Sequence, residues 1–182
     1  MSDLTTILDG LAFGEGPRWR DGRLWFSDFY RHEVVTVTPD GQREHQVTVP
    51  NQPSGLGWMP NGDLLIVSML DQRLLRWDGD TLSEHADLSG LVSSPCNDMV
   101  VDDAGRAYVG NFGFDHHKGE SFATTRLVIV EPDGTVAPGP DELAFPNGTV
   151  ITPDGATLIV GESYGRTLAA FERDPATGAL GR

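Results

Sequence analysis

Pro53-Ser54-Gly55-Leu56-Gly57-Trp58-Met59-Pro60-Asn61-Gly62-Asp63-Leu64-Leu65-Ile66-Val67-Ser68 reads as two apolar strands joined at an Asn-Gly turn. Such pairs supply the positive φ angles that tight hairpins require. The unit returns three more times. Upstream, Glu15-Gly16-Pro17-Arg18-Trp19 leads through Asp21-Gly22 into Leu24-Trp25-Phe26-Ser27-Asp28. Downstream, Asn97-Asp98-Met99-Val100-Val101 turns at Asp103-Ala104-Gly105 into Ala107-Tyr108-Val109-Gly110-Asn111. Last, Asn147-Gly148-Thr149-Val150-Ile151 turns at Asp154-Gly155 into Thr157-Leu158-Ile159-Val160-Gly161. The turn glycines 22, 62, 105 and 155 lie 40, 43 and 50 residues apart, the spacing of four-stranded propeller blades.

Each hairpin is followed by a third alternating strand, over residues 33–38, 73–77, 126–131 and 167–172, and by another turn at Gly41, Gly79, Gly134 and Gly178. A shorter, more polar fourth strand, as in 44–49, suits the outer edge of a blade. The best helical candidate, residues 80–92, has too few spaced apolar positions for a stable helix. The expected fold is an all-β propeller. Residues 11–182 form its single domain, and residues 1–10 a leading strand or tail.

Composition agrees. Gly 22 and Pro 12 in 182 residues serve many turns, and an apolar fraction of 38% can fill the spaces between blades. The net charge of −14 argues against nucleic acid and anionic membranes as partners, since both need clustered Lys and Arg. No run of about 18 apolar residues occurs, and Met1-Ser2-Asp3-Leu4 lacks the basic and apolar regions of a signal peptide, so a cytoplasmic location is expected. Cys96 is the only cysteine, which excludes a disulfide within the chain.

A propeller gathers the starts of its innermost strands at one end of a central channel. Those positions hold Glu15, Ser54, Asn97-Asp98 and Asn147. One carboxylate and two amide oxygens suit a hard cation, since Ca²⁺ accepts six to eight oxygen ligands, neutral carbonyls included. Neither His nor Cys stands there, which disfavours zinc. The same residue types also serve as turn formers, and Glu15 could cap a backbone group.

Gly14-Glu15-Gly16-Pro17, Asn97-Asp98 before Asp103-Ala104-Gly105-Arg106, and Phe145-Pro146-Asn147-Gly148 before Thr152-Pro153-Asp154-Gly155 together resemble the senescence marker protein/gluconolactonase (regucalcin-like) family. The similarity runs from Leu11 to the end. It implies a six-bladed β-propeller that hydrolyses sugar lactones or related lactones with a divalent metal in its channel, Ca²⁺ first, with Zn²⁺, Mn²⁺ or Mg²⁺ as alternatives. It implies Glu15 and Asn147 as metal ligands, Asn97 beside the metal against substrate or water, and Asp115 as the acid that holds sugar hydroxyls. Two departures stand out. Pro95 occupies the place where animal sugar lactonases carry Arg. The family's third protein ligand, an aspartate that also moves protons, comes from a fifth blade beyond Arg182, so no catalytic residue is expected within this chain.

Other signals carry less. Gly161-Glu162-Ser163-Tyr164-Gly165 matches the nucleophile elbow of serine hydrolases, yet a strand rather than a helix is expected after it. His116-His117, read as extended, would point opposite ways and could not share a metal. Cys96 is expected as a small buried apolar group. Asn147-Gly148-Thr149 is formally a glycosylation sequon without a route to secretion. Trp19, Trp25, Trp58 and Trp77 are expected as core between blades.

A lactonase is therefore the leading reading, with a small-molecule lactone as partner. A non-catalytic propeller that binds a small molecule or protein, and a paraoxonase-like or strictosidine synthase-like esterase, are the alternatives. Four blades account for 182 residues where a closed six-bladed ring needs roughly 250 to 300. Open blade edges would then invite self-association.

Overall fold

The computed structural model describes residues 4–181, so the first three residues of the expected leading segment and Arg182 lie outside it. Four antiparallel sheets of four strands follow one another along the chain. Blade 1 holds β1 (Gly14–Arg20), β2 (Arg23–Asp28), β3 (Glu33–Val37) and β4 (Arg43–Thr48). Blade 2 holds β5 (Pro53–Trp58), β6 (Leu64–Ser68), β7 (Arg73–Trp77) and β8 (Leu82–Asp87). Blade 3 holds β9 (Cys96–Val101), β10 (Ala107–Asn111), β11 (Val128–Val130) and β12 (Val136–Pro138). Blade 4 holds β13 (Pro146–Ile151), β14 (Thr157–Glu162), β15 (Thr167–Arg173) and β16 (Leu180–Gly181). Among the described residues there is no α-helix, and none long and apolar enough to cross a membrane. The expected hairpins all form, and the eight turn glycines have positive φ, from +70° to +107°. Residues 80–92 contain β8, as their weak helical pattern implied.

The blades are joined by their faces. On β6, Leu64 and Ile66 pack toward blade 1 with Val34 and Leu56, while Leu65 and Val67 pack toward blade 3 with Met99 and Val109. Every residue of β6 is buried, because side chains alternate and both faces are covered. Tyr108, Leu127, Leu158, Val160 and Phe171 fill the space between blades 3 and 4. A polar clasp reinforces that seam. Asp102 accepts from Arg106 Nη1 at 3.0 Å and from Arg173, whose Nε donates to Tyr108 Oη at 2.9 Å. Near the axis the innermost strands approach closely: a Cβ on Gly55 would lie 2.6 Å from the Met99 nitrogen, so no larger residue fits there.

Residues 4–13 form no strand. Leu8 packs against the Phe26–Val35–Val37 cluster on the blade 1 face turned away from blade 2, and the Ala12 and Phe13 N–H groups donate to the Asp28 carboxylate at 2.9 and 2.8 Å. Trp25, Trp58 and Trp77 pack partly buried between blades 1 and 2, as expected. Trp19 does not. It pairs with Leu24 on the opposite face of blade 1 and is 63% exposed.

Candidate functional site at the channel mouth

All four innermost strands share one irregularity. Between Glu15 and Arg18, Pro53 and Leu56, Cys96 and Met99, and Pro146 and Thr149, the inner strand advances three residues while its partner advances two. Each therefore carries a bulge of one extra residue, a device that re-aims side chains beside active sites. Ser54, Asn97 and Asn147 are the first residues inside their bulges. Glu15 stands one register position earlier, opposite Ser27, and Gly16 takes the equivalent place in blade 1. Gly16 has φ +57°, and a Cβ there would meet the Ser54 carbonyl oxygen at 2.6 Å, so the first bulge has no room for a side chain.

Glu15, Ser54, Asn97, Asp115 and Asn147 line one cavity of about 420 Å³. The Glu15 carboxyl is raised above its ordinary value, first by burial and then by the nearby Asp98 charge, against the opposing pull of the Gly16 N–H. Asn97 is buried and its Nδ2 donates to the Pro146 carbonyl at 3.0 Å. Asn147 Nδ2 donates to Ser163 Oγ at 3.2 Å. Each amide thus commits its NH₂ to the protein and keeps its carbonyl oxygen for another partner. Ser54 is fully buried, and its Oγ has no hydrogen-bond partner among the described residues.

That donor set fits a hard divalent cation. No group of three His, Cys, Asp or Glu side chains is arranged to hold a metal among the described residues. What converges instead is one carboxylate, two amide oxygens and an orphaned hydroxyl, the oxygen-only chemistry that Ca²⁺ takes and zinc does not favour. An unsatisfied buried hydroxyl is costly to leave unmade, by about 1–3 kcal/mol, and a bound cation or its water would satisfy it.

Below Glu15, Arg18 Nη2 donates to Asp98 Oδ1 at 2.7 Å and to the Met99 carbonyl at 2.6 Å. Burial raises the Asp98 carboxyl above its ordinary value, while Arg18 holds it down. The repeat placed Asp98 beside Asn97 at the channel, but nothing in the sequence pattern pointed to Arg18 as its partner.

Asp115 reaches the cavity by way of the long loop after β10. Asn111 anchors that loop: its Oδ1 accepts from Ser94 Oγ at 3.0 Å and Thr125 Oγ1 at 2.6 Å, and its Nδ2 donates to the Arg126 carbonyl at 2.8 Å. Within the loop Asp115 caps a 3-10 turn, His116–Lys118. Its Oδ1 accepts the His117 and Lys118 N–H groups at 3.1 and 3.2 Å, and its Oδ2 meets Lys118 Nζ at 2.9 Å. The Lys118 hydrogen bond draws this carboxyl below its ordinary value. The turn also changes the geometry expected of the two histidines. Because 3-10 backbone replaces extended backbone, their rings lie on one side, 3.9 Å apart.

Ser163 sits in the turn between β14 and β15, and the following element is a strand, so the elbow motif has no helix to form on. Cys96 is fully buried in the core between blades 2 and 3, where desolvation pushes its thiol up to about 12.

The family profile for the SMP-30/Gluconolactonase/LRE-like region matches residues 13–182. The chain is 28% identical over 191 residues to the pentonolactonase XacC of Haloferax volcanii, covering 97% of this chain and 59% of that protein. Its fold superposes on a gluconolactonase from Xanthomonas campestris with a TM-score of 0.81 at 24% identity, over 97% of this chain and 63% of the other. It superposes likewise on a calcium-binding protein, regucalcin, from Agrobacterium tumefaciens, with a TM-score of 0.77 at 25% identity, over 96% and 58%. The chain thus spans about three fifths of the length of these relatives. With the profile matched over residues 13–182 of a chain that folds into four four-stranded blades, the chain belongs to the SMP-30/gluconolactonase/LRE-like family.

Proposed function

We propose that this channel mouth is the metal and substrate site of a lactone hydrolase. The observation that supports the reading best is the convergence of Glu15, Asn147, Asn97 and the unpartnered Ser54 hydroxyl on one cavity. Glu15 and Asn147 would hold a divalent cation, Ca²⁺ for choice. Such a cation polarises a lactone carbonyl and lowers the pKa of a bound water. Asn97, fixed by the Pro146 carbonyl, presents its amide oxygen to water or to the substrate. Asp115 shapes the wall by holding the His116–Lys118 turn. Glu15, half-buried and with its carboxyl raised, gains from a cation the compensation that its surroundings do not give.

Calorimetric titration with Ca²⁺ tests the ligand set, and a pH-stat assay on a panel of lactones before and after chelation tests the reaction. Glu15→Gln and Asn147→Ala each weaken Ca²⁺ binding by at least tenfold on this reading, and chelation stops hydrolysis. Undiminished turnover in the chelated protein would overturn it.

A further inference from the structure

The cavity that holds these oxygens is otherwise walled by rings. Phe112 and Phe145 stack at 4.4 Å between centroids and 14° between planes, and both line the cavity. From blade 1, Phe29 and Tyr30 line it too, 4.1 Å apart, with Phe13 4.8 Å from Phe29. Phe29, Met69, Phe112 and Phe145 also belong to the hydrophobic core between blades 2 and 3. These four residues are therefore shared by the core and the cavity lining.

One of these rings is placed against the grain of its backbone. Phe145 has φ +62°, although it precedes Pro146. A bulky residue in the left-handed region is an outlier, and a residue before proline normally takes extended backbone. Such strain clusters at ligand sites. Gln52, before Pro53 at the same place in blade 2, has φ +65°, so the conformation recurs at the head of the inner strand, and at Phe145 it accompanies the stack on Phe112.

Most of the polar groups that could hold a polyhydroxylated ring are already committed. Glu15, Ser54, Asn97 and Asn147 belong to the cation site. Asp115 and Lys118 are bound to each other and to the loop backbone. Pro95, also lining the cavity, has no side-chain donor at all. Gln52, the Tyr30 hydroxyl and the His116 and His117 rings remain among the polar lining residues, and His116 lies against both His117 and Phe112. Hydroxyls placed against the phenyl faces themselves would lose their water hydrogen bonds without a partner there.

We propose that the lactone this cavity takes carries an apolar substituent, an alkyl chain of several carbons or an aryl group, which lies against the Phe112–Phe145 stack and the Phe29–Tyr30 pair. The assignment rests on the lactonase reading for the ring and carbonyl, but the apolar wall can be tested apart from catalysis. The Ca²⁺-loaded chain is titrated calorimetrically with γ-butyrolactone, γ-hexalactone and γ-nonalactone, and in parallel with 2-alkylcyclopentanones, which keep the ring and carbonyl but have no ester to cleave. Affinity should rise by about fourfold for each methylene that enters the cavity, in both series. Tyr30 and Leu70, half-exposed at the rim, allow the wall to be altered without opening the core: Tyr30→Gln and Leu70→Gln should each flatten that gradient. Absence of a chain-length gradient, or tighter binding of D-glucono-1,5-lactone than of the alkyl lactones, would overturn the proposal even if lactones are cleaved. A gradient in the ketones without cleavage of any lactone would uphold the apolar wall and overturn the hydrolase reading instead.

Discussion

The Arg18 guanidinium of blade 1 reaches past blade 2 to the Asp98 carboxylate of blade 3, Nη2 to Oδ1 2.7 Å. The two side chains are 24% and 8% exposed, so the pair is largely out of water. Removing the cation leaves a buried carboxylate uncompensated, which is far more costly than losing the pair as a whole. Arg18→Ala should therefore destabilise the chain by about 3 kcal/mol in urea unfolding, and adding Asp98→Asn should recover part of that loss. Wild-type stability in the single variant would show that the pair contributes nothing.

Ser54→Ala separates stability from metal affinity. Deleting a buried hydroxyl without a partner removes a desolvation penalty, so the metal-free chain should melt no lower than wild type and gain up to about 1 kcal/mol. In contrast, Ca²⁺ should bind about tenfold more weakly, roughly 1.4 kcal/mol. Equal Ca²⁺ affinity in calorimetric titration would remove Ser54 from the cation site.

His85 on β8 supplies a pH dependence remote from the cavity. Desolvation lowers its pKa from 6.5, and the raising effects of the Glu131 backbone and Asp133 do not offset it; Arg76 adds to the lowering. Its Nε2 is buried without a partner among the described residues. The fold thus prefers the neutral ring, while the unfolded chain takes up a proton near the ordinary value. Stability contributed by this group is present above pH 6.5 and is lost as pH falls through the depressed folded value. Replacing it, as in His85→Gln, should flatten the decline in urea midpoint below pH 6.5; an unchanged slope would mean that other groups govern it.

Cys96 should behave as a hydrocarbon. With its thiol pushed up to about 12 and no surface exposed, it offers almost no thiolate at pH 8. Ellman's reagent should report one thiol per chain in denaturant and almost none in the native state. Rapid native labelling would mean that the core between blades 2 and 3 opens readily.

Much of this architecture was legible in the sequence because it repeats. Asx-Gly turns fix hairpins locally, and their spacing fixes the blade, so strands such as Arg73–Trp77 could be placed to the residue. Glu15, Asn97 and Asn147 were found at the channel by the same repeat logic, and the structure does bring them to one cavity. The rest depended on three-dimensional accounting. Ser54 held the right repeat position, but only the hydrogen-bond inventory of the folded chain reveals that its hydroxyl has no partner. The aromatic wall draws on Phe29, Tyr30, Phe112 and Phe145 from three blades, with no local pattern to join them. Trp19 followed the strand alternation onto a face that no neighbouring blade covers among the described residues. The histidine pair was misjudged because Asp115 curls the loop into a turn.

The bulge at the head of every inner strand has a consequence for how such a chain can change over time. Ser54, Asn97 and Asn147 occupy inserted positions that no rung of their own sheets requires. A mutation there alters what the channel can hold while the hairpin beneath it goes on folding as before. Chemistry and scaffold are thereby inherited largely as separate traits, coupled where a bulge leans on the next blade, as Asn97 does on the Pro146 carbonyl.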